Sequence, residues 1–148
     1  MLVKNGSLWL YEYYKIKAGR FFSRRRTLKA KIEATEASLK KWEGLRQNVL
    51  DEYGLTNDSS VICPKSDTRK YILVIGSTSC HLCELSDGGD EPPSIYCRRC
   101  PIFEFQGEPC DRGSNSPWTQ WLDKNDPEPM IALLENTLLY LKTKKEEE

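Results

Sequence analysis

Histidine is almost absent from this chain of 148 residues, which contains His81 alone. A catalytic triad that needs histidine would have to use this residue, which lies inside the pair Cys80/Cys83. The glycine-rich phosphate loops G-x-x-x-x-G-K and G-x-G-x-x-G are missing as well. These absences argue against histidine-based hydrolases and against nucleotide-binding enzymes of those two types. We therefore expect a protein that is not an enzyme.

Long apolar runs are also missing. No eighteen consecutive residues are apolar, so we predict no transmembrane helix. The first twelve residues lack the basic, apolar and small-residue pattern of a secretory signal peptide. We expect a reducing, cytoplasmic location, where clustered cysteines serve as metal ligands or redox groups more often than as disulfides. At this length we expect a single domain, 1–148.

Cysteine is the residue that the chain has in unusual number and arrangement. All six cysteines lie between residues 63 and 110, in the stretch richest in glycine, proline and serine. Two Cys-x-x-Cys pairs occur there, and this spacing lets one chain reversal present both sulfurs to one ion. The pattern predicts one structural zinc ion. Its candidate ligands are Cys80, Cys83, Cys97, Cys100 and Cys110, with Cys110 able to replace Cys97 or Cys100 and with Cys63 a buried bystander.

Three other interpretations of these cysteines stay open. An iron–sulfur cluster needs the same four thiolates as zinc. A thioredoxin-like redox site is the second, since the strand-like segment 71–75 precedes Cys80-His81-Leu82-Cys83, although the Gly- and Pro-rich residues 87–93 do not favour a long helix there. Disulfides are the third, and they require an oxidising compartment. His81 is interpreted as a bystander, because neighbouring residues rarely aim at the same ion.

The cysteine region resembles a known group of proteins. The motifs are Cys80-His81-Leu82-Cys83, Cys97-Arg98-Arg99-Cys100-Pro101-Ile102, Gly107-Glu108-Pro109-Cys110 and Ser116-Pro117-Trp118. Their order resembles that of small cysteine-rich proteins of unknown function from bacteriophages and bacteria. The resemblance covers about a third of the chain. It implies five cysteines in the metal region and a bacteriophage origin, and it implies no activity.

Charge is divided unevenly along the chain although the net charge is zero. Residues 1–50 hold twelve Lys and Arg against four Asp and Glu, and the rest of the chain is correspondingly acidic. A basic N-terminal helix is one way to bind nucleic acid, and its candidate contacts are Arg20, Arg24, Arg25 and Arg26. The simpler explanation is that the two halves of the chain pack together and partly neutralise each other.

Helical periodicity dominates both ends of the chain. Apolar residues recur at helical spacing over residues 22–53, with Ser23 or Thr27 as cap and Gly54 as the end. Asp126-Pro127-Glu128 opens a second helix with an apolar stripe. In between, residues 71–75 and 61–63 predict short strands, and Pro101 and Ser116-Pro117 begin short helices. The aromatic-rich segment 8–17 favours a further, shorter helix.

The sequence therefore predicts a mainly α fold. A long N-terminal helix packs with the C-terminal helix, and a zinc-stabilised, loop-rich module with one or two short strands is inserted between them. The predicted N-terminal helical region is 1–55, the cysteine-rich metal module is 56–125, and the C-terminal helix is 126–148. We expect the protein to bind another macromolecule, a protein rather than nucleic acid. It would be a monomer or a helix-mediated dimer, with no membrane contact.

Overall fold

The structure is a computed structural model that describes residues 4–15, 27–76, 79–86, 97–113 and 115–147. The arginines proposed for nucleic-acid binding, Arg20 and Arg24–Arg26, lie outside the described residues. Helices account for most of the described residues, and three short strands form one sheet. The predicted mainly α fold class is therefore confirmed.

The N-terminal half contains three helices, α1 (Gly6–Tyr13), α2 (Leu28–Glu43) and α3 (Gln47–Glu52). Thr27 caps α2, because its side-chain oxygen accepts a hydrogen bond from the Ala30 N–H at 3.2 Å. Gly54 follows α3 with φ +67°, the left-handed conformation expected at this helix end.

The prediction of one uninterrupted helix to residue 53 is wrong at Gly44–Arg46. Helix α1 packs into this break: a Cβ on Gly44 would lie 2.5 Å from Cγ of Tyr13. The indole N–H of the buried Trp9 donates to the Gly44 carbonyl oxygen at 2.8 Å, taking the acceptor that a continuous helix would use. Arg46 then adopts an extended conformation before α3. A contact between distant segments, which periodicity does not reveal, ends α2.

The sheet is antiparallel with strand order β1 (Leu55–Asp58), β2 (Val61–Pro64), β3 (Leu73–Val74). Strands β2 and β3 correspond to the two predicted strands, with β3 shorter than expected, and β1 was not predicted. Ser59 and Ser60 form the β1–β2 turn with φ of +52° and +67°, as a two-residue hairpin requires. The Ser60 hydroxyl also accepts a hydrogen bond from the Trp121 indole at 3.1 Å, which ties the hairpin to the C-terminal half.

The second half of the chain contains α4 (His81–Ser86), a 3-10 turn (Cys97–Arg99), α5 (Pro101–Gln106), α6 (Pro117–Lys124) and α7 (Glu128–Glu147). Predicted caps are present here: Ser116 accepts from the Thr119 N–H, and Asp126 accepts from the Glu128 N–H at 3.0 Å. Gly107 ends α5 with φ +81°. Among the described helices, none combines the length and the apolar character that crossing a membrane requires.

Helices α2 and α7 pack along each other in opposite directions, which confirms the predicted pairing of the N- and C-terminal helices. Arg46, just beyond the end of α2, pairs with Glu128 at the start of α7 at 2.9 Å. At the other end, Lys142 of α7 lies 4.0 Å from Glu36 of α2. Helix α4 packs on α2, and α5 and α6 pack on α7. The core therefore surrounds α2 and α7, and it includes Trp9, Trp42 and Trp121.

Removal of a core side chain from α7 should test this packing. Leu134 is 1% exposed, whereas Leu139 on the same helix is 65% exposed. We expect Leu134→Ala to lower the free energy of unfolding by about 2–5 kcal/mol, because it leaves a cavity in the core. Leu139→Ala is the matched control and should cost less than about 0.5 kcal/mol. Thermal or chemical denaturation gives both values, and equal values for the two variants would contradict the packing.

Candidate metal centre

Five of the six cysteines come from four neighbouring pieces of the fold. Cys80 immediately precedes α4 and Cys83 lies in its first turn. Cys97 starts the 3-10 turn, and Cys100 occupies the cap position before α5. Cys110 follows α5, and its carbonyl accepts a hydrogen bond from the Trp118 N–H at 3.2 Å. Short helices that begin at or beside cysteines thus hold these side chains in place.

These pieces surround one cavity of about 290 Å³ beside α2. Four of the predicted ligands line it: Cys80, Cys83, Cys97 and Cys110. Cys100 is absent from the lining but interacts electrostatically with the other thiols. The remaining wall is largely apolar and includes Trp42, Trp118 and Leu134. The structure therefore brings the sequence-predicted cysteines together against the hydrophobic core.

Lys41 of α2 lines the same cavity and is only 1% exposed. Its ammonium donates to the carbonyl oxygen of Ser79 at 3.0 Å. Burial lowers the pKa of Lys41, and negative charge on Cys80, Cys83 and Cys110 opposes that shift. Among the described residues, no carboxylate is within salt-bridge distance of Lys41. The groups that act on this ammonium are the cysteine sulfurs and the ring of Trp42, whose centroid lies 5.7 Å from Nζ.

Cys80 is the thiol of the cluster that ionises most easily. A hydrogen bond from the Cys83 thiol is the largest cause that lowers the pKa of Cys80 to about 6. The ammonium of Lys41 and the backbone N–H groups of Cys83 and Leu82 lower the pKa further, while burial opposes them. The Cys83 N–H lies 3.3 Å from the Cys80 sulfur. These interactions favour the thiolate form of Cys80 over that of the neighbouring thiols.

The other thiols of the cluster hold their protons in the absence of a metal. The hydrogen bond that Cys83 gives to Cys80 raises the pKa of Cys83, and burial adds to the effect. Burial, followed by the charge of Cys80, raises the pKa of Cys100 to about 12 and also raises that of Cys110. Burial likewise raises the pKa of Cys97, with Asp111 contributing. Cys80 is thus the thiol whose ionised form is most favoured in this cavity, which Lys41 and Asp111 also line.

The donor set fits a thiophilic metal, but the side chains are not already gathered around one point. Thiolates are the ligands of structural zinc and of iron–sulfur clusters, and four thiols line one cavity here. However, no group of three or more His, Cys, Asp or Glu within the described ranges is arranged as a metal site. A single ion would therefore require the cysteine side chains to close around it.

The remaining candidate residues either do not line the cavity or lie outside the described residues. His81 is fully buried, and its ring lies 5.3 Å from the ring of Tyr14, centroid to centroid. Cys63 is fully buried in β2, where its sulfur lies 3.9 Å from the Thr56 carbonyl oxygen and burial raises its pKa. The cysteines form no disulfide. Nothing in the described part of the chain bears on Arg20 or Arg24–Arg26.

Sequence reasoning missed the two polar residues of α2 that face the cysteines, Ser38 and Lys41. The residues at apolar helical spacing are buried at Ile32, Thr35 and Trp42, whereas Leu39 is only partly buried. The buried surface of α2 also carries Ala30, Ala34, Ser38 and Lys41. The spacing of the small residues, four apart, was the available signal for this face. Lysine is rarely buried, so periodicity alone assigns Lys41 to the surface.

Comparison with known proteins gave no match: no family model, no curated protein and no solved structure is significantly similar to this chain. The geometry of the site and the sequence pattern are therefore the basis for the function proposed below.

The unequal ionisation of the thiols predicts selective alkylation. In metal-free protein, iodoacetamide should modify Cys80 first, because it attacks thiolates. The rate should be nearly constant above about pH 7 and fall as the pH drops through about 6, the pKa of Cys80. Peptide mass spectrometry over a pH series measures the rate at each cysteine. Cys63 is the internal control and should react slowly throughout, and a Cys80 rate that still climbs at pH 9 would contradict the prediction.

Proposed function

We propose that this chain is a small zinc-binding protein without enzymatic activity that acts by binding another macromolecule. The observation that carries the metal part is the convergence of Cys80, Cys83, Cys97 and Cys110 on one cavity that also contains a buried ammonium. Clustered free thiols in a reducing compartment serve most often as metal ligands. These four cysteines are the preferred ligand set, and Cys100 lies beside them.

The metal would be structural rather than catalytic. With four thiolate ligands, zinc has no open coordination position for a substrate. The ion would join the start of α4, the 3-10 turn and the loop after α5, which are separated in sequence by residues 87–96 and 100–109. Residues of the core form the opposite wall of the cavity, so metal binding would be coupled to the stability of the whole fold.

Purified protein should contain about one equivalent of zinc. Because Cys80 is already a thiolate and the other thiols are protonated, zinc binding to four cysteines should release about three protons at neutral pH. Elemental analysis gives the zinc content, and calorimetry in buffers of different ionisation enthalpy gives the proton count. Cys83→Ser should lose the metal, whereas Cys63→Ala is the control that keeps it. Iron with equimolar sulfide would indicate an iron–sulfur cluster in place of zinc. The absence of both zinc and iron would contradict the site.

The second part of the proposal concerns the partner. A protein partner is favoured over nucleic acid because residues 51–148 are acidic overall and would repel a polyanion that approached broadly. The resemblance of the cysteine region to bacteriophage proteins favours a host protein as that partner. Capture of partners from a host lysate and their identification by mass spectrometry would show which protein it is.

Charge reversal separates protein binding from nucleic-acid binding. We expect no micromolar binding to mixed-sequence DNA or RNA at physiological salt, whether or not Arg24, Arg25 and Arg26 are changed to Glu. The control reverses three exposed lysines elsewhere, Lys124, Lys142 and Lys145, and so changes the net charge equally. Binding that falls steeply with salt and is lost only in the arginine variant would establish the nucleic-acid alternative. Fluorescence anisotropy with labelled oligonucleotides measures the affinity.

A thiol redox function is the second candidate, and the ionised Cys80 beside Cys83 favours it. In that reaction the Cys80 thiolate would attack a substrate disulfide and release one substrate thiol. The Cys83 thiol would then displace the other, leaving a Cys80–Cys83 disulfide and a reduced substrate. Metal-free, reduced protein that reduces insulin disulfides with dithiothreitol at a rate lost in Cys80→Ser would support this candidate. Retention of zinc through the assay would argue against it.

A further inference from the structure

Ser38 and Lys41 lie one turn apart on α2 and project from the same face of the helix. Both side chains line the cysteine cavity, and each residue is 1% exposed. A buried hydroxyl and a buried ammonium next to a set of thiols are unusual for the core of a small protein. Polar groups buried at this position need a hydrogen-bond or charge partner within the cavity.

The hydrogen-bonding capacity of these two side chains is not used up by the residues that the structure describes. The Ser38 hydroxyl has no hydrogen-bond partner among the described residues. An ammonium group has three donors, and the Ser79 carbonyl oxygen accepts one of those of Lys41. Buried polar groups are normally satisfied, because leaving them without partners costs folding free energy. The two side chains that have this spare capacity line the cavity that four of the cysteines also line.

We propose that Ser38 and Lys41 are positioning residues of the metal centre, donating hydrogen bonds to its thiolate sulfurs, with Lys41 also supplying a compensating positive charge. This inference rests on the proposed metal-binding function. A divalent ion with four thiolates carries a net charge of about −2, which is costly to bury away from water. An ammonium at the wall of the same cavity offsets part of that charge, and Asp111 also lines this cavity. Hydrogen bonds to sulfur further stabilise the thiolate form.

The same arrangement explains why a lysine is tolerated in the core. A buried ammonium is costly without a nearby negative charge, and the charges that act on Lys41 come from Cys80, Cys83 and Cys110. In the metal-bound protein every ligand is a thiolate, so Lys41 and the ligands stabilise each other.

The test compares Lys41→Met and Ser38→Ala with wild type in the full-length chain, using zinc and a chromophoric chelator in competition. We expect each variant to bind zinc about 10–100-fold more weakly, with the larger loss for Lys41→Met. Lys40→Met, the exposed neighbour on α2, is the matched control and should bind zinc as wild type does. Lys41→Arg keeps the charge and should bind more tightly than Lys41→Met.

Metal-free stability separates this role from a merely structural one. Replacement of a buried ammonium by methionine of similar volume should leave the metal-free protein at least as stable as wild type, because the substitution removes the cost of burying a charge. The substitution would thus preserve or raise stability without zinc and weaken zinc binding. A structural role predicts the reverse, lower metal-free stability with unchanged zinc affinity, and that result would overturn the inference. Ser38→Ala is the milder variant should Lys41→Met fail to fold.

Failure of the inference and failure of the proposed function give different results. If wild type binds zinc and both variants bind it equally well, the inference is overturned and the metal site stands. If wild type binds neither zinc nor iron, the metal site is overturned and the inference with it.

Discussion

The packing of α2 against both α7 and α4 is the constraint on which the rest of the structure depends. The buried face of α2 carries alanines, Ala30 and Ala34, which are fully buried and allow neighbouring helices to approach closely. One side of the helix thereby forms the core with α7. The next turns, at Ser38 and Lys41, face the segment from Ser79 through α4. Helix α2 consequently contributes both to the hydrophobic core and to the wall of the cysteine cavity, so a change in its packing affects both.

The cysteine-rich segment contributes little to a hydrophobic core by itself, and its order comes from contact with the helical core. Leu82 and Leu85 of α4 and Ile102 of α5 are buried and belong to the core cluster. These apolar anchors lie beside the cysteines in sequence, so the same short helices that bury leucine and isoleucine also place sulfur at the cavity. A bound metal would add a bond between pieces that are already anchored, whereas a classical small zinc module depends on the metal alone.

The sequence was sufficient to predict those helix ends that depend on local interactions. Thr27, Ser116 and Asp126 cap helices, and Gly107 ends one, because each acts on backbone groups within a few residues. The break at Gly44 could not be predicted this way, since it depends on Trp9 and Tyr13, more than thirty residues away. Burial of Lys41 is also a long-range effect, since its ammonium donates to Ser79, 38 residues downstream. Cysteine spacing indicated which thiols lie near one another, and only the fold showed that Lys41 lines the same cavity.

Ser60 connects three segments through a single residue. Its backbone forms the hairpin turn with φ +67°, its carbonyl oxygen accepts from the Ile75 N–H at 2.8 Å, and its hydroxyl accepts from the Trp121 indole. Glycine would suit the backbone better, but it would leave the N–H of a tryptophan that is 1% exposed without this acceptor. Opening of the hairpin would therefore also remove the hydrogen-bond acceptor of the Trp121 indole in α6. The two elements, sixty residues apart in sequence, should lose their hydrogen-exchange protection together, as one cooperative unfolding unit.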